Sequence, residues 1–252
     1  MPIPKDSTSF TDTMADILRL PDETLAMSYV YLNRYERFQS SSISSDPLDS
    51  PDLPKTLALA CLSLASKSTE SPRRMREILF PAHRLLHSHN GASSDPINQP
   101  LVVPSTMYDS LRATLVQAEL TLLRILGFEL RIPLPLDFLP RYLERAMEDV
   151  AGASENYDAW GNEEKEEYGV VKDVMDTSIG RSCRSKAISA CKNYQLANLF
   201  PARAVALGCL NVTMEERGLR TANARKEWVD DIGSRKVDNE DFEEVVEILK
   251  RV

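Results

Sequence analysis

Apolar residues recur at three- and four-residue steps along nearly the whole chain, and no alternating strand-like run interrupts them. The pattern predicts an all-α fold. After a start read as flexible over residues 1–10, Thr11–Leu20 reads as a short helix stopped by Pro21. Asp22–Phe38 follows, with Leu25, Tyr29, Leu32 and Tyr35 on one face. A Ser/Asp/Pro-rich loop over 39–54 leads to Leu57–Lys67, which is apolar all round and therefore expected at the centre of a bundle. Ser71-Pro72 supplies a cap and a first-turn proline for a helix running to about Leu86. After a polar loop over 87–104, a helix of about five turns, Ser105–Gly127, completes a first five-helix bundle, with Gly127 as its stop.

Arg131-Ile132-Pro133-Leu134-Pro135 reads as a linker, and beyond it the pattern starts again. The second set is Leu136–Val150, Glu163–Ile188, Pro201–Val212, Arg225–Ile232 and Asp238–Arg251. Tyr168, Val171, Met175 and Ile179 share a face of the long member, and Asp238 caps the last helix. The expectation is two tandem five-helix bundles, residues 11–131 and 134–252.

Two apolar helices each carry one charge where a charge is expensive. Lys67 ends the run L-A-L-A-C-L-S-L-A-S-K, and Glu119 sits in a stripe of Leu115, Ala118, Leu122 and Ile125, in line with Leu123. What satisfies these two groups is the functional question. Composition narrows the answer. Net charge is −8, from 38 acidic against 30 basic residues, which argues against direct nucleic-acid binding. The densest basic run, Ser71-Pro72-Arg73-Arg74-Met75-Arg76, is more simply a solvated helix face or a contact for an acidic partner.

Four cysteines without C-x-x-C spacing lie in apolar context and read as reduced packing groups of an intracellular protein. No stretch is apolar enough to span a bilayer, and the start lacks the core of a signal peptide, so a soluble nuclear or cytoplasmic protein is expected. His83 and His87 lie one turn apart with His89 nearby, but no third well-placed ligand accompanies them, so no metal is assigned. Phosphate-binding glycine loops, H-E-x-x-H, G-x-S-x-G and a kinase catalytic loop are all missing. No catalytic constellation or cofactor is assigned.

The segments I-L-R-L-P-D-E-T-L-A-M-S-Y-V-Y-L-N-R-Y, L-A-L-A-C-L-S-L-A-S-K-S-T-E-S-P-R-R-M-R-E-I, V-Q-A-E-L-T-L-L-R-I-L-G-F-E-L and P-L-D-F-L-P-R-Y-L together resemble the cyclin box. The resemblance covers roughly residues 10–145 by motif and the second half by helix count alone. It implies two tandem cyclin-box bundles and a regulatory subunit that activates a cyclin-dependent kinase in a heterodimer. It also implies that Lys67 and Glu119 bind backbone just before the kinase αC helix, with Leu123, Phe128 and Leu130 as the apolar frame. An internal Lys67–Glu119 pair is the competing reading, and a charge pair can do both.

Within the family, the loop before the fifth helix and the ending R-K-V-D-N-E-D-F-E-E-V-V-E-I-L look similar to cyclin Q (cyclin M), whose partner is cyclin-dependent kinase 10. Cyclins K, L and T, which serve transcription, are the close alternative. A cyclin-fold scaffold of the transcription factor IIB kind is a further one. The chain lacks the Met-Arg-x-x-x-Leu-x-x-Trp helix of cell-cycle cyclins, which puts a substrate-docking groove of that type in doubt. Ser50-Pro51 and Ser71-Pro72 are minimal proline-directed phosphorylation sites, with Ser50 the better placed.

Overall fold

A computed structural model of the chain describes residues 5–41, 53–87, 100–151, 173–219 and 225–251. Among these, every regular element is a helix, and the fold is all-α. The chain forms two compact units, Met1–Ile132 and Pro133–Val252.

The first unit holds α1 (Lys5–Leu18), α2 (Asp22–Ser41), α3 (Leu53–Ser68), α4 (Met75–His87) and α5 (Thr106–Ile125). The nine residues from Ala58 to Ser66 are all buried, so α3 has no solvent face for more than two turns, and it touches all four other helices. This burial is what the all-round apolar sequence of α3 encodes.

Polar ties fix its neighbours. Tyr29 donates to Asp12 and joins α2 to α1, while Thr24 and Thr69 share a hydrogen bond of 2.7 Å that joins α2 to the end of α3. At the end of α1, Arg19 takes a left-handed conformation (φ 49°), and Leu20 N–H donates to the Ala15 carbonyl. Arg73 completes that cap by donating to the carbonyls of Leu18 (3.1 Å) and Arg19 (3.0 Å).

Two expectations for this unit are corrected. The first helix starts at Lys5 rather than Thr11, so the stretch read as flexible over 1–10 is helical over 5–10. Buried Ser7, Phe10 and Thr11 hold it against the bundle, and Thr11 donates to the Ser7 carbonyl. Ser71 does not cap α4. Its N–H closes the end of α3 on the Ser66 carbonyl, residues 71–74 are irregular, and Glu77 accepts from Arg74 N–H at the true helix start.

Ser105, read as the first residue of the fifth helix, is its cap, accepting from Tyr108 N–H at 3.2 Å. Ser105→Ala is expected to destabilise the first unit by about 1 kcal/mol, read as a lower midpoint in thermal unfolding.

The second unit holds α6 (Leu139–Ala151), α7 (Ser178–Lys192), α8 (Tyr194–Leu199), α9 (Ala202–Glu216), α10 (Arg225–Ile232) and α11 (Asn239–Arg251). Its central helix is α9, buried from Ala204 through Met214 and packed on α6, α7 and α11. Asp238 caps α11 by accepting from Glu240 N–H.

The expected continuous helix Glu163–Ile188 is corrected. A 3-10 turn at Val174–Asp176 and a cap by Thr177, which accepts from Gly180 N–H, start a separate helix at Ser178. Gly180 permits this. A Cβ there would lie 2.4 Å from the Val174 carbonyl oxygen, inside the backbone of the preceding turn. Tyr168, Val171 and the run Glu163–Glu167 lie outside the described residues, whereas Met175 and Ile179 are buried. The short α8, capped by Asn193, was not anticipated, and with it the unit shows six helices among the described residues rather than five.

None of the four cysteines forms a disulfide, and all four are buried. Burial pushes the Cys183 thiol up to about 11 and the Cys191 thiol up to about 12, and it raises Cys61 and Cys209 as well. At pH 8 all four are therefore protonated and shielded. A chromogenic disulfide reagent is expected to titrate none of them in the native protein and all four after denaturation.

Candidate functional site

The site is built where α3 ends and α5 passes it. Lys67 is the first residue of α3 to emerge after the buried run, in the last turn, where a cation also suits the helix dipole. Its Nζ donates to both carboxylate oxygens of Glu119, at 2.8 and 2.7 Å. The two ends of this pair differ in exposure: the Glu119 side chain is 9% exposed and that of Lys67 45%. The fold thus holds the carboxylate in place and leaves the ammonium at the surface. Two of the three ammonium donors are used and each carboxylate oxygen keeps acceptor capacity, so the pair is satisfied internally and can still engage backbone groups from outside. This geometry answers the question raised by the sequence: each charge is the other's partner.

The apolar surround comes from α5 and the turn after it. Leu123, one turn beyond Glu119, is half-buried. The helix ends in a double left-handed turn, Gly127 and Phe128 both near φ 60°, closed by Phe128 N–H on the Leu123 carbonyl. Glycine takes this conformation freely, but a phenylalanine there carries strain. The strained residue is also, among the described residues of the first unit, the most exposed large apolar side chain, at 71%. Leu130 is half-buried, and its carbonyl accepts from the Tyr31 hydroxyl at 2.7 Å; that hydroxyl also lies 3.0 Å from Ser68 Oγ. Tyr31 therefore fastens the segment after α5 beside the end of α3, next to Lys67. Burial raises the Tyr31 phenol above its ordinary value, which keeps it a neutral donor.

Two members of the face were missed in the sequence. Val116 (38% exposed) and Leu120 (43%) precede Leu123 at helical spacing, so α5 presents the stripe Val116–Leu120–Leu123 alongside Glu119. The apolar stripe Leu115, Ala118, Leu122 and Ile125 read from the sequence leaves both out. Only the packing shows that the bundle leaves them uncovered. Ser50 and His89 lie outside the described residues.

No protein-family model matches the chain. Among curated proteins, mouse (Mus musculus) Cyclin-L2 is 30% identical over 128 residues, which is 51% of this chain and 22% of that protein. Cyclin-T1-5 of Arabidopsis thaliana is 24% identical over 128 residues, 51% of this chain and 20% of that protein. The chain thus spans about a fifth of the length of these relatives. Among solved structures, the yeast RNA Pol II CTD kinase CTDK-1 complex contains a chain that superposes with a TM-score of 0.62 at 14% identity, covering 98% of this chain and 63% of that one. The relatives found are L and T cyclins, and they do not support the finer likeness to cyclin Q. The chain is thus similar to L and T cyclins over about half of its length, and its all-α fold matches that of a chain in the CTDK-1 complex.

Proposed function

We propose that this chain is a regulatory subunit that binds a cyclin-dependent kinase catalytic subunit and activates it, with no active site of its own. The observation that carries the reading is the Lys67–Glu119 pair. Its carboxylate is fixed in the fold, its ammonium is at the surface, and an uncovered apolar stripe runs beside it. An apolar patch that a partner can cover, with a few well-placed polar groups beside it, is the usual anatomy of a protein interface core. The docked element is the kinase αC helix, contacted by Lys67, Glu119, Leu123, Phe128 and Leu130, with Val116 and Leu120 extending the face.

A kinase needs the ion pair between its αC glutamate and its ATP-positioning lysine, so holding αC inward turns it on. Moving such an equilibrium from 1:99 to 99:1 takes about 5.5 kcal/mol of differential binding.

The finer question is which kinase. Similarity to cyclin Q would imply a cyclin-dependent kinase 10 type partner. The L and T relatives, and a structural neighbour described as an RNA Pol II CTD kinase complex, favour a kinase of RNA polymerase II and a nuclear site of action. The test is co-expression with individual cyclin-dependent kinase catalytic subunits, followed by co-purification and phosphotransfer assay. A stable, active heterodimer is expected with at least one kinase of the transcriptional group. A panel in which no kinase is bound or stimulated would overturn the reading.

A further inference from the structure

A cleft of about 640 Å³ lies between α1 and α4. Its α4 wall carries Arg76, Phe80 and Arg84, and its α1 wall carries Ile17 and Leu18. The three α4 residues are spaced by four, so they form one ridge with steps of about 6 Å. Arg76 and Arg84 are exposed and have no acidic partner among the described residues. Phe80 (36%) and Ile17 (49%) are exposed apolar groups in the same cleft.

Arg73 stands at one end, its guanidinium fixed by the Leu18 and Arg19 carbonyls. Three arginines therefore face one acid, Glu77, whose carboxylate accepts from Arg74 N–H at the helix start. On a chain of net charge −8 this cleft is locally basic. Pro81, inside α4, has no N–H to give the Glu77 carbonyl.

The spacing specifies an occupant. In an extended peptide, alternate side chains lie on one face about 6.6–6.8 Å apart. Three alternate residues therefore match the Arg76–Phe80–Arg84 ridge in register. The outer two must be anionic and the middle one apolar. We propose that the α1–α4 cleft binds an extended acidic segment of a partner protein with the pattern acid–x–apolar–x–acid, its carboxylates on Arg76 and Arg84 and its apolar side chain between Phe80 and Ile17. Charge-assisted pairs to guanidinium set the register and the apolar residue anchors it. The site is separate from the Lys67–Glu119 face and its occupancy requires no kinase.

The test is fluorescence anisotropy on the full chain alone, with a fluorescein-labelled peptide containing Asp-Ser-Leu-Ser-Asp between glycine spacers. Saturable binding is expected. It should weaken at least about tenfold in the Arg76→Glu/Arg84→Glu variant, and by a similar factor for a permuted peptide with the two acids adjacent. Both arginines are exposed, so the variant should keep the wild-type circular dichroism and unfolding midpoint. No saturable binding, equal affinity for the permuted peptide, or unchanged affinity in the variant would each overturn the proposal. So would displacement by a single-stranded oligonucleotide of matched charge as effective as by unlabelled peptide. Because no kinase is present, failure here leaves the kinase-docking reading standing, and failure of that reading leaves this one standing.

Discussion

Lys67→Glu is expected to cut the active kinase fraction about tenfold while leaving a helical, folded protein. The substitution places a second carboxylate against Glu119 where two hydrogen bonds of 2.7–2.8 Å now hold an ammonium. Because Lys67 is at the surface, solvent takes up part of the loss. The remaining cost is that of leaving a largely buried acid without its donor, about 1–3 kcal/mol, within reach of a domain this size. The docking face suffers more. Removing one member of a desolvated, hydrogen-bonded charge contact costs about 2–5 kcal/mol, and reversing its sign belongs at the upper end. Taking about 4 kcal/mol from the roughly 5.5 that hold αC inward returns the active fraction from near 99% to about 10%. The measurement is a phosphotransfer assay at saturating regulatory subunit, with circular dichroism on the same sample. Lys67→Met, which keeps the stem but removes the charge, should lie between the two.

The second large effect is on stability and falls in the other unit. Trp228 is 1% exposed, packs against fully buried Phe242 with ring centroids 6.4 Å apart, and has no partner for its indole N–H among the described residues. Trp228→Ala should cost about 3–5 kcal/mol, the usual range for deleting a buried aromatic. Trp228→Phe should cost less than about 1.5 kcal/mol, since it keeps most of the apolar volume and removes an N–H that makes no bond. Denaturant unfolding followed by circular dichroism distinguishes them. Two compact units need not unfold together, so the loss should appear in one transition rather than as a uniform shift. Equal losses for the two variants would mean that the indole N–H is in fact bonded.

These two residues illustrate what the sequence makes legible. The span of α5 could be read because Ser105 caps it and Gly127 ends it, both through local backbone chemistry. The centrality of α3 could be read because nothing polar interrupts its apolar run before Ser63 and Ser66, whose size suits helix packing. The pairing of Lys67 with Glu119 was stated only as one of two roles, since spacing within each helix carries no information about distance between helices.

The errors have the same root. Ser71-Pro72 has the local form of a helix start, but the Ser71 N–H is taken by the Ser66 carbonyl across the end of α3. The first helix was begun too late because the polar Ser7–Thr11 stretch looks solvated until its partners in the bundle are known. Val116 and Leu120 lie with Leu123 on a second apolar stripe of α5, beside the Leu115–Leu122 one; which of two apolar stripes a bundle leaves uncovered is decided by the helices that pack, not by the pattern on one of them.

Activation by the doubly substituted Lys67→Glu/Glu119→Lys protein tests the docking face most directly. The swap restores an ion pair between α3 and α5, so the fold and unfolding midpoint should return close to wild type. The charges offered to the kinase are inverted, so activation should remain lost. Recovery of wild-type activation by the swapped pair would mean that Lys67 and Glu119 serve only to hold α3 to α5, and would contradict the proposed contact.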